Sequence, residues 1–183
     1  MPKFEEKTIA TKKIFQGHII NVQVDDVVLP NGKVGKRELV KHPGAVAIIA
    51  ITSDDKIVLV EQFRKPLERT IIEIPAGKME AGELPLHTAK RELEEETGYG
   101  AEHWEHVQTF STSPGFADEI IHIYVAQNLY EVSNRAVMDE DEFVELIEVS
   151  LQDAQQLMTN EQIYDAKTVF AIQWCLLHKL TKK

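Results

Sequence analysis

The run Arg91-Glu92-Leu93-Glu94-Glu95-Glu96-Thr97-Gly98 is the most informative stretch of the chain. It closes a segment from Pro85 to Thr97 rich in Leu, Ala, Lys, Arg and Glu, with Pro85 suited to a helix first turn and Gly98 to its end. At about 100° per residue, Glu92, Glu95 and Glu96 share one face, Glu94 points away, and Leu86, Ala89 and Leu93 form the adjoining apolar stripe. Like charges at these spacings repel, and they sit at the helix end where the macrodipole also disfavours anions. Arg91 is spaced to neutralise Glu95, which leaves Glu92 and Glu96 needing a cation. With no His or Cys cluster nearby, oxygen ligands favour Mg²⁺ or Mn²⁺ over zinc. A solvated acidic face is the other reading of such a run.

Working outward, Thr70 to Ile74 is a short β-rich segment ending at Pro75-Ala76-Gly77, and Ala45 to Ile51 and Lys56 to Phe63 read as buried central strands. Ile19 to Leu29, a turn at Pro30-Asn31-Gly32, and Val34 to Val40 predict a hairpin. Strands are also expected at Val107 to Thr112, Ile120 to Ala126 and Phe143 to Val149, and a buried helix at Thr168 to Leu180. Strands and helices in one continuous body predict a mixed α/β fold, and the only plausible boundary falls near residue 43.

The 183 residues suit one compact domain with a small appendage, and 43% hydrophobic with 27% charged residues excludes a disordered or disulfide-framework chain. Thirty acids against twenty bases give a net charge of −10, which disfavours nucleic acid and anionic membranes as partners. The single cysteine, Cys175, reads as core, and fits a reducing compartment. Without a long apolar run or a signal-like start, the expected location is cytoplasmic.

Gly77, Glu83, Arg91, Glu92, Glu95, Glu96 and Gly98 together fill the polar and glycine positions of a 23-residue signature, and Tyr99 departs from it where an aliphatic residue is usual. The chain thereby resembles the Nudix hydrolases, which cleave a nucleoside diphosphate linked to another moiety. The resemblance implies an α/β/α sandwich with a mixed sheet between helices. It also implies Glu92, Glu96 and the Ala76 carbonyl as Mg²⁺ ligands, with Glu95 helping through Arg91 or a water.

Gln16-Gly17, Arg37-Glu38-Leu39-Val40, Gly44-Ala45-Val46, Glu61-Gln62-Phe63-Arg64, Glu73 to Gly77, and Ser113 to Glu119 with Pro114 look like the ADP-ribose pyrophosphatase subgroup. From it follow hydrolysis of ADP-ribose to AMP and ribose 5-phosphate, and a homodimer with an exchanged N-terminal region. Residues 1–43 would serve dimerisation and part of the substrate pocket, and 44–183 would be the catalytic domain. Arg37, Glu38, Arg64, His18, Ile19, Ser113 and Glu119 would contact substrate. In the acidic cluster Asp139 to Glu142, Glu140 would be the general base and Glu142 would lie near metal. Alternatives are the same chemistry on a nucleotide sugar or dinucleotide, or a Nudix-like ligand sensor without catalysis. The other histidines, among them His87, His103, His106 and His178, show no ligand spacing.

Overall fold

The computed structural model describes residues 3–133 and 143–181. Ten strands and three helices follow one another as β1 (Lys7–Gln16), β2 (Asn21–Val28), β3 (Val34–Lys41), β4 (Ala45–Ala50), β5 (Ile57–Arg64), β6 (Arg69–Glu73), β7 (Ala76–Lys78), α1 (Pro85–Thr97), β8 (Tyr99–Ser111), β9 (Ile120–Glu131), β10 (Val144–Val149), α2 (Leu151–Thr159) and α3 (Ala166–Thr181). The fold is mixed α/β as the sequence predicts. The chain separates into two compact units, one of residues 1–44 with 110–121, the other of 45–109 with 122–183.

In the first unit the sheet order is β1-β2-β3. The predicted hairpin is β2 and β3, antiparallel with Val22 opposite Val40 and Asp25 opposite Arg37. Its turn follows from Asn31 and Gly32. The Asn31 side chain accepts the Lys33 N–H at 3.0 Å, and Gly32 takes φ 79°, a left-handed value that suits glycine. Strand β1 was not anticipated. It pairs with β2 through two register shifts, and all ten of its residues are exposed, so no alternation of buried and polar positions marks it in the sequence.

In the second unit β4 is buried along its whole length, and the first four residues of β5 are buried too, as expected of central strands. The sheet orders are β10-β5-β6 and β7-β4-β9-β8. Strands β8 and β9 run longer than the predicted segments, and β7 and α2 have no counterpart among them. Helix α1 begins at Pro85 and ends on Gly98, whose φ of 76° closes the helix with its N–H on the Glu94 carbonyl. Ala89 and Leu93 pack with Val46, Ile48, Ala50, Val58 and Ala126 in one core cluster, so the apolar stripe of α1 is what seats the helix on β4. Leu86 on that stripe is only half-buried. Cys175 is buried on α3.

Candidate active site

The site is built on one face of α1 and on the turn before it. Seating Ala89 and Leu93 in the core carries Glu92 and Glu96 inward with them, to 8% and 5% exposure. Burying carboxylates is costly unless their charge is answered. One answer is close backbone. The Ala76 N–H donates to Glu96 Oε2 at 2.9 Å, and Gly77 lies so near Glu92 that a Cβ built on it would fall 1.8–2.2 Å from the carboxylate atoms. A side chain at position 77 would therefore have to displace the Glu92 carboxylate.

The other answer is Arg91. Its Nη1 lies 2.7 Å from Glu95 Oε2 and 2.8 Å from Glu92 Oε1, while Nε and Nη2 donate to Glu83 at 3.3 and 3.2 Å, and Nη2 reaches the Lys78 carbonyl at 3.3 Å. The i,i+4 pairing with Glu95 is as predicted. The sequence reading gave Arg91 to Glu95 alone, whereas the guanidinium spans three carboxylates. Burial works against its charge, but the hydrogen bond to Glu83 and the charges of Glu92 and Glu95 outweigh it and hold the group well above the ordinary arginine value. The same bond from Arg91 holds Glu83 below the usual glutamate value.

The donor set offered here is oxygen only, in two buried carboxylates beside a backbone that a side chain cannot enter. Such a set fits a hard divalent cation. Among the described residues no group of three or more His, Cys, Asp or Glu is placed to hold a metal ion by side chains alone. Glu140 and Glu142 lie outside the described residues.

Arg64 closes β5, and its Nε donates to Glu73 Oε2 at 2.5 Å. Glu73 is 3% exposed in β6, three residues before Ala76. An open cavity of about 560 Å³ lies along the same sheet, lined by Glu61, Gln62, Phe63, Thr70, Phe143, Val144 and Glu145, and it includes none of the predicted site residues.

The remaining candidates belong to the first unit. Arg37 sits on β3 and forks onto Glu6, Nε to Oε2 at 2.7 Å and Nη2 to Oε1 at 2.5 Å. That bond raises the Arg37 pKa above its ordinary value. Glu38, His18 and Ile19 are exposed. The Ser113 carbonyl accepts the N–H groups of Phe116 and Ala117, closing the Ser-Pro-Gly turn. Glu119 accepts from the Thr112 hydroxyl and lies 3.5 Å from His42 Nδ1.

Several partners escaped the sequence reading. Glu73 had a signal, being a lone acid within the apolar run Ile71 to Ile74. Glu6, Lys167 and Glu148 had none, because each meets its partner through distant pairing. Tyr99, the departure from the signature, donates to Glu148 Oε1 at 2.6 Å, and this bond together with burial pushes its pKa up to about 12. His106 Nε2 and His122 Nδ1 both lie within hydrogen-bond distance of the Thr109 hydroxyl, at 2.8 and 2.9 Å.

A glycine-flanked acidic helix seated on a mixed sheet, with one arginine spanning its carboxylates, defines a class. The chain belongs to the Nudix family: residues 41–176 match the NUDIX domain, and residues 6–40 match the nucleoside diphosphate sugar hydrolase N-terminal domain. Among its relatives, a Bacillus methanolicus protein named methanol dehydrogenase activator is 60% identical over 98% of this chain and 97% of its own length. A Bacillus subtilis (strain 168) protein named ADP-ribose pyrophosphatase is 58% identical, over 97% of this chain and 96% of its own. A solved structure described as an ADP compounds hydrolase shares the fold with a TM-score of 0.82 at 23% identity, covering 97% of this chain and 95% of that one.

Proposed function

We propose that this chain hydrolyses the diphosphate bond of ADP-ribose to AMP and ribose 5-phosphate, using Mg²⁺ or Mn²⁺. The observation that carries the reading is the pair of buried carboxylates, Glu92 and Glu96, held against the backbone of Ala76 and Gly77. The 58% identity to a named ADP-ribose pyrophosphatase supports the substrate. Glu92, Glu96, the Ala76 carbonyl and Glu142 would hold the cation. When bound, it neutralises diphosphate charge and lowers the pKa of water.

The chain's own residues do the rest. Arg64 and Arg37 bind phosphate oxygens, for which a planar guanidinium is suited. Arg91 fixes Glu95 and Glu92. Glu140 takes a proton from the attacking water as the water oxygen bonds to one phosphorus, the bond from that phosphorus to the bridging oxygen breaks, and the bridging oxygen leaves on the other monophosphate. Glu38, His18, Ile19, Ser113 and Glu119 contact the adenosine and terminal ribose.

The assembly proposed is a homodimer in the cytoplasm, in which residues 1–43 complete the partner's pocket and residues 44–183 carry catalysis. The exposed Ile9, Ile14 and Phe15 of β1 support it. No helix among the described residues is long and apolar enough to cross a membrane.

The test is turnover of ADP-ribose with and without Mg²⁺. Equimolar AMP and ribose 5-phosphate, abolished by chelation, is the expected result, and no turnover at any divalent cation would defeat the reading. The 60% identity to a methanol dehydrogenase activator favours a second reading, in which the chain stimulates a methanol dehydrogenase. Methanol oxidation measured with and without the chain decides it.

A further inference from the structure

Glu73 is held by two cations. Arg64 Nε donates to its Oε2 at 2.5 Å, and Lys167 Nζ donates to its Oε1. Lys167 is steadied in turn by Asp165, which accepts from Nζ at 2.8 Å and from the N–H groups of Lys167 and Thr168 at 3.1 and 3.3 Å, at the start of α3. Thr168 ties the same turn back to the residue that follows β6, its hydroxyl accepting the Ile74 N–H at 2.9 Å. All of these groups lie in one unit.

The division of Glu73 between two donors matters for Arg64. A carboxylate that faces a guanidinium alone frequently takes two parallel bonds from it, as Glu6 does from Arg37 in this chain. With Oε1 occupied by Lys167, Arg64 makes only the Nε contact to Glu73, and among the described residues neither of its Nη groups donates a hydrogen bond. The side chain of Arg64 is 39% exposed, whereas those of Lys167 and Glu73 are 12% and 3% exposed. The buried carboxylate is thus divided between Lys167 and the Nε of Arg64, and the most exposed of the three side chains is the arginine.

We propose that Lys167 is a positioning residue for anion binding by Arg64: by holding Oε1 of Glu73 it keeps the Nη edge of the arginine turned to a diphosphate oxygen of the substrate. The inference rests on the assignment of Arg64 to the substrate made above. Without Lys167 the carboxylate would draw Arg64 into a closed fork, and the site would lose affinity for the diphosphate while keeping its fold.

The experiment measures KM and kcat for ADP-ribose, with thermal stability, in Arg64→Ala, Lys167→Met, Lys167→Arg and the Arg64→Ala/Lys167→Met double variant. Lys167→Met should raise KM about tenfold with a much smaller change in kcat, as expected on losing a bond to a charged group. Lys167→Arg should restore KM, and the double variant should be no worse than Arg64→Ala. A role only in folding would lower stability and the active fraction but leave KM in place, since KM does not depend on enzyme concentration. Should Lys167→Met fold poorly, Lys167→Gln serves: its KM should lie between wild type and Arg64→Ala, and a wild-type KM overturns the proposal. If Arg64→Ala leaves KM unchanged, the arginine is not in the substrate site and the assignment beneath the proposal fails. If Arg64→Ala raises KM while Lys167→Met does not, the proposal alone fails.

Discussion

The carboxylate of Glu92 occupies the space that a side chain on Gly77 would need: an ideal Cβ there falls 1.8 Å from its Cδ. Nothing in the glycine's own backbone demands this residue, so the demand comes from across the site. Gly77→Ala should push Glu92 off its position while leaving α1 seated by Ala89 and Leu93. The expected outcome is a loss of metal affinity of about 10- to 100-fold, read by calorimetric titration of Mn²⁺, with helix content unchanged by circular dichroism.

Glu96→Gln removes one of two neighbouring buried charges on the same helical face. Its amide oxygen can still accept from the Ala76 N–H. Turnover should fall by on the order of 10²-fold, and without metal the thermal midpoint should stay level or rise, because like-charge repulsion is relieved. Full activity at ordinary Mg²⁺ would remove Glu96 from the site.

The Arg91 bond that lowers the Glu83 pKa links stability to acid. A depressed folded-state pKa contributes stability above the ordinary glutamate value of about 4.3 and loses it as pH falls through the lowered value. The stability difference between wild type and Glu83→Gln should therefore be widest near neutrality and close as pH drops below about 4. Urea unfolding at stepped pH measures it. A difference that stays constant down to pH 3 contradicts the linkage.

Tyr99 carries the opposite sign. Its pKa is raised to about 12, so its bond to Glu148 contributes below the ordinary tyrosine value of about 10 and is lost as pH rises through 12. Tyr99→Phe should cost about 0.5–1.5 kcal/mol at neutral pH, more if Glu148 is left poorly solvated. Spectrophotometric titration should show a late-ionising tyrosine that disappears in the variant.

The two extents of legibility differ for physical reasons. Helix α1 was legible because its end signals, its stripe and its charges all fall within one short segment, Pro85 to Gly98, and the hairpin of β2 and β3 because Asn31 and Gly32 carry their turn locally. Strand β1 was not, since all ten of its residues are exposed and its pairing to β2 shifts register twice. In the site, Glu92, Glu95 and Glu96 could be placed on one helical face from spacing alone. Partners distant in sequence could not. Lys167 stands 94 positions from Glu73, and Tyr99 stands 49 positions from Glu148, separations that only the folded chain closes.

The sole thiol of the chain, Cys175, is 6% exposed on α3, the helix whose first turn carries Lys167. A buried thiol is labelled when the structure around it opens, so its labelling rate is a clock for local opening. A single reporter gives a single exponential, with no other cysteine to confuse the trace. Slower labelling in the presence of substrate would mean that occupation of the arginine end of the network is felt at the far end as a longer closed lifetime of α3.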